Sequence, residues 1–96
     1  MRTYEIDGAR FATLAGFYEE VSRVLVPDTY WGRNLDAFND ILSSGFGTPE
    51  EGFTLRWKNH ELSRQRLPEF ETLVEIIREH EPGGSESNDN VTLVLD

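Results

Sequence analysis

Two spacings of apolar residues alternate along the chain. Tyr4 and Ile6 share one side of a short run, Thr3 to Ile6, that closes on Asp7-Gly8, the pattern of a strand followed by a turn. From Thr13 the spacing lengthens. Leu14, Phe17, Val21, Val24 and Leu25 recur every three or four positions, which predicts an amphipathic helix over 13–25 with Thr13 as N-cap. Pro27-Asp28 interrupts it. A second helix is expected over 34–44, capped by Asn34, with Leu35, Phe38, Ile41 and Leu42 on one side; Gly45-Phe46-Gly47-Thr48-Pro49 ends it. A period of two returns where Phe53, Leu55 and Trp57 alternate with Thr54, Arg56 and Lys58, marking a second strand. A short helix is read over 60–67. Pro68 suits the first turn of another, whose stripe of Phe70, Leu73, Val74 and Ile77 covers 69–80. Residues 81–90 read as a polar, glycine-containing loop. Val91 to Leu95 is a nearly continuous apolar run, as expected of a strand buried on both faces.

The order strand, helix, helix, strand, helix, helix, strand predicts parallel pairing through right-handed helical crossovers. The expected fold is α/β, a small three-stranded parallel sheet covered by helices, in one domain over 1–96. No internal repeat divides the chain. Ninety-six residues support a single thin core, and 38% hydrophobic against 28% charged residues is the balance of a folded chain.

Charge narrows the partners. Eighteen acidic residues against nine lysines and arginines leave a net charge of −9. That charge repels polyphosphate, disfavouring direct nucleic-acid binding, and attracts a basic protein. Taken alone, the acidity is better explained by solubility. The absence of cysteine excludes disulfides and thiolate metal sites. No apolar run is long enough for a signal peptide or a membrane span, so a cytoplasmic protein without membrane contact is expected. No glycine-rich phosphate loop, Ser-His-Asp order or zinc spacing occurs, and no catalytic set, metal or cofactor is expected. Trp57 reads as core. His60 and His80 have no ligand-spaced companion and read as surface or helix-end residues. Glu75 and Glu79 form a solvated face, with Arg78 a partner for Glu75 or Glu81.

The segment Tyr30 to Asp40 concentrates the distinctive chemistry. On a helical wheel Asp36, Asp40 and Ser43 lie nearly opposite the apolar stripe. Asp36 suits the first turn, where the helix dipole favours an anion, but two like charges one turn apart are mildly destabilising. Tyr30, Trp31 and Phe46 flank the same helix, and large aromatics are common interface anchors. Such a surface is suited to a positively charged partner. The plainer alternative makes the acids solvated and the aromatics part of the core edge. An enzyme using both carboxylates as acid and base finds no nucleophile or metal set in the sequence.

Tyr30-Trp31-Gly32, followed by Asn34-Leu35-Asp36-Ala37 and Asp40, resembles the central motif of the barstar family, intracellular inhibitors of barnase-type ribonucleases. The resemblance continues through Leu55-Arg56-Trp57, then Ser63, Gln65 and Leu67, to Ile77-Arg78-Glu79 and the strand Val91 to Leu95, in the same order over nearly the whole chain. It implies a stoichiometric inhibitor whose second helix and preceding loop plug a basic nuclease. Its acids would stand where RNA phosphates would sit. Asp40 would be the principal anion and Asp36 its support. Tyr30 and Trp31 would pack on the enzyme, Gly32 would allow close backbone approach, and Glu79 would be a peripheral acid. With Asn34, Asn39 and Phe46 these form the implied partner-binding set. Two residues depart from the family's best-known pattern: Arg33 stands for an acid, and Asn39 for a bulky aromatic. The segment Ser43 to Gly52 is also longer. The alternative function is therefore a barstar-like binding module for a different nuclease, a toxin or a non-nuclease partner.

Overall fold

The computed structural model describes residues 2–28, 30–43, 48–49, 51–84 and 90–96. Its elements follow the expected order: β1 (Arg2–Asp7), α1 (Leu14–Leu25), α2 (Leu35–Ile41), β2 (Phe53–Lys58), α3 (His60–Arg66), α4 (Phe70–Glu79) and β3 (Val91–Leu95). A short 3-10 turn, Gly8–Arg10, links β1 to α1 where the sequence pattern shows only a turn. The three strands lie in the order β1-β2-β3, all parallel, with the central strand crossing to each neighbour through a pair of helices.

Register decides which side chains enter the core. Tyr4, Leu55 and Leu93 form one row across the sheet, and Ile6, Trp57 and Leu95 the next. These point toward the helices. The intervening rows, Thr3–Thr54–Thr92 and Glu5–Arg56–Val94, point the other way. On that side Thr3, Glu5, Arg56 and Lys58 are exposed, and Val94 retains 39% of its surface. This corrects the expectation that β3 is buried on both faces: Val91 and Leu93 are buried, but Val94 faces solvent. Helices cover one face of the sheet. The open face is closed electrostatically instead. Arg56 Nε donates to Asp96 at 2.7 Å, and Glu5 lies within 4.0 Å of Arg56 and 3.9 Å of Lys58.

Trp57 organises the helical side. Phe17 stacks on its ring at a centroid distance of 5.2 Å, Phe70 meets it edge-on at 5.1 Å, and Phe11 lies at 6.2 Å. Each such pair adds about 0.5–1.5 kcal/mol beyond the area it buries. Burying an indole requires a partner for its N–H, and Ser63 of α3 accepts it at 3.0 Å while itself fully buried. α1 begins as expected, with Thr13 Oγ1 accepting from the Gly16 amide at 3.1 Å. Glu20 of α1 is buried. It accepts the Asp7 amide at 3.0 Å and pairs with Arg10 at 3.2 Å and Arg23 at 3.0 Å, so the charge is compensated where it is desolvated.

The end of β1 packs closely against the start of α3. A Cβ on Gly8 would sit 2.4 Å from Ser63 Oγ and 2.5 Å from the Asn59 carbonyl oxygen, which only glycine avoids. Beside it, Asp7 accepts from the Asn59 side chain at 2.8 Å and the Ala9 amide at 2.9 Å. Those two bonds, the Asn59 bond first, hold the Asp7 carboxyl below its ordinary range. In the unfolded chain Asp7 takes a proton at a higher pH than in the native state. It therefore stabilises the fold above the ordinary carboxylate range, and this contribution is lost as pH falls through the depressed native value. Replacing Asp7 with asparagine should flatten the acid limb of the stability curve, read by urea unfolding at stepped pH. An acid limb as steep as that of the parent would remove Asp7 as a contributor.

Candidate functional site

The loop ahead of α2 is built from unusual backbone. Gly32 has φ of 82° and Arg33 φ of 50°, so two consecutive residues occupy the left-handed region. Glycine takes this conformation freely, whereas arginine adopts it against its own preference. The reversal delivers Asn34 into extended geometry, where its Oδ1 accepts the Ala37 amide at 2.8 Å and starts α2. Asn34 thus serves as the expected N-cap. Losing that acceptor costs about 1 kcal/mol in typical helices. Asn34→Ala should lower the free energy of unfolding by about that amount in urea denaturation; an unchanged midpoint would show that the cap is dispensable.

α2 is shorter than expected, ending at Ile41 rather than 44. It is held by its inner face. Phe38 and Ile41 are fully buried, and the Phe38 ring meets Phe17 edge-on at 5.2 Å and lies 6.5 Å from Trp31. The outer face carries Asp36 and Asp40, both exposed. Among the described residues neither carboxylate is paired with a cation or accepts a side-chain hydrogen bond. Asp36 in the first turn is favoured by the helix dipole, whereas Asp40 in the last turn opposes it. Among the described residues this face is an anionic surface without a paired cation, carried on a helix anchored by Phe38 and Ile41.

The other residues of the expected set divide. Tyr30 is 89% exposed and free to meet another surface. Trp31 is not: its ring is buried, edge-on to Tyr18 at 5.3 Å, with Nε1 donating to Ser22 Oγ. The expectation of an exposed Trp31 ring is corrected, because two helices enclose it and Ser22 satisfies its N–H. Asn39, between the two acids, is half-buried and turned to α4, its Oδ1 2.8 Å from His80 Nε2. His80 caps the C-terminus of α4, but it is fully buried and not a surface residue. Its place was legible in principle, since position 80 continues the stripe of Leu73 and Ile77. Glu79, its neighbour in sequence, is exposed at the end of α4 that Asn39 reaches. Arg78 pairs with Glu81 at 3.1 Å, one of its two expected partners. Phe46 lies outside the described residues.

Among the described residues no helix is long and apolar enough to cross a membrane. The segment from Tyr30 to Asp40 brings together an exposed tyrosine, a turn at positive φ and two exposed carboxylates without an ion pair among the described residues. A family model described as "Barstar (barnase inhibitor)" matches residues 1–96, the whole chain.

Proposed function

We propose that this chain, which belongs to the barstar family, is a cytoplasmic inhibitor that binds a basic barnase-type ribonuclease and blocks its active site with α2 and the adjoining loop. The observation that carries this reading is the pair of exposed carboxylates, Asp36 and Asp40, unpaired among the described residues, on a helix anchored by Phe38. A ribonuclease cleft holds cations for the RNA phosphates. A carboxylate can accept a forked pair of hydrogen bonds from an arginine there, and complementary potentials speed the encounter. Asp40 is the principal anion and Asp36 supports it. Tyr30 lies on the enzyme surface, Gly32 admits its backbone, and Glu79 meets a cation at the rim. Trp31 acts from within, holding the loop to α1. Asn34 and Asn39 present the helix, one by capping it and the other through His80.

Titrating the RNA-cleaving activity of a barnase-type ribonuclease with the purified chain tests the proposal. The expected result is a linear loss of activity that ends at one chain per enzyme, with association slowing as salt rises. Activity that survives excess chain, or an on-rate indifferent to salt, would count against it. A second reading, a binding module for a different nuclease, a toxin or a non-nuclease partner, is favoured by Arg33, a cation inside the acidic surface. A gene for a basic ribonuclease beside the gene for this chain would favour the first reading over the second.

A further inference from the structure

Arg33 is the feature that the acidic surface does not explain. Several other arginines are paired with acids, whereas Arg66, like Arg33, has no ion pair among the described residues: Arg10 and Arg23 meet on the buried Glu20, and Arg78 meets Glu81. At the surface Arg56 meets Asp96 and Glu5, and Arg64 meets Glu61 and Glu71. Arg33 has no ion pair among the described residues, although Asp36 lies only three positions on. It is exposed and held at positive φ. It also stands over a shallow groove of about 630 Å³, lined by Leu14 and Tyr18 of α1 with Arg33, Asn34, Leu35 and Asp36. Leu14 and Leu35 are half-buried, so the lining combines apolar side chains with one cation, Arg33, and one anion, Asp36. Through Asp36 it is continuous with the anionic surface.

We infer that this groove is the specificity pocket of the surface, and that it takes a glutamate or aspartate from the rim of the partner's cationic cleft. The inference rests on the inhibitor reading and says which ribonuclease that reading requires. The methylenes of the entering side chain lie on Leu14 and Leu35, and its carboxylate meets the fixed fork of the Arg33 guanidinium. Asp36 and Asp40 remain committed to the cations of the cleft. A partner with basic groups all around its rim would meet Arg33 as a like charge, so the residue that attracts the cognate enzyme also rejects others.

The experiment uses the full chain with a barnase-type ribonuclease whose cleft rim is uniformly basic, and with single variants of that enzyme in which each rim lysine or arginine becomes glutamate. Dissociation constants are measured for the parent chain, Arg33→Glu and Asp40→Ala. One of the reversals should tighten binding of the parent chain by about tenfold. That gain should vanish in Arg33→Glu, which should itself bind the uniformly basic enzyme about tenfold more tightly than the parent chain does. If no reversal tightens binding, or if the gain survives in Arg33→Glu, the pocket assignment is overturned. Asp40→Ala separates the two levels. If it loses binding while Arg33→Glu changes nothing, only the pocket fails; if it binds like the parent, the acidic-surface reading fails and the pocket with it. Failure of the parent chain to bind any of the enzymes overturns both.

Discussion

Asp40→Ala is expected to raise the dissociation constant for the target ribonuclease by about 30-fold to a few thousand-fold, equivalent to about 2–5 kcal/mol. This is the usual cost of removing one partner of a buried, hydrogen-bonded charge pair, a range to which complexes of this family have themselves contributed. The loss should appear mainly as faster dissociation, because the remaining acids still steer the encounter. The folded chain should not suffer. Asp40 opposes the dipole at the end of α2 and repels Asp36 one turn away, so alanine should leave stability unchanged or raise it by a few tenths of a kcal/mol. Weaker binding with equal or greater stability is the signature of a residue retained for its partner. Association kinetics and urea unfolding of the same variant read the two halves separately. Unchanged affinity would dismiss Asp40 as the principal anion; a large drop in stability would recast it as a structural residue.

Phe38→Ala is expected to behave in the opposite way. Its ring is fully buried between Phe17 and Trp31 and pins the inner face of α2. Truncating a buried phenylalanine to alanine typically costs about 3–5 kcal/mol. That is a large share of the roughly 5–15 kcal/mol by which a domain of this size is stable. Inhibition should weaken as well, because α2 would carry its acids on an unanchored helix, and a misplaced charge loses its hydrogen-bond geometry. Phe38→Leu, which refills most of the space, should recover the greater part of both effects. Urea midpoints and activity titration of the two variants check this. A Phe38→Ala chain as stable as the parent would show that α2 is held by something other than its aromatic contact.

The two variants also mark where sequence and structure part. The buried stripe of α2 is legible because Leu35, Phe38, Ile41 and Leu42 follow helical spacing, and Asn34 and Thr13 are legible because caps have a chemical signature. β2 is legible because its alternation is clean. Val94 is not, because a valine at an outward position of β3 looks the same in sequence as one buried in the core; only the register with Glu5 and Arg56 reveals it. Trp31 misleads for a related reason. A tryptophan in a loop suits an interface or a core equally, and the choice falls to Ser22, nine positions earlier, which supplies its acceptor. His80 pairs with Asn39 across 41 positions, a distance at which local patterns carry no information. The two exposed acids are the most legible part of the candidate site, since helix geometry alone sets them opposite the core.

The bare side of the sheet has a practical use. Thr3 is solvent-exposed on the side away from the helical layer that carries α2, and the chain contains no cysteine. A single thiol placed there would take a fluorophore or a sensor-chip linker at one defined point. A molecule immobilised through that back surface would still offer its acids to the solution.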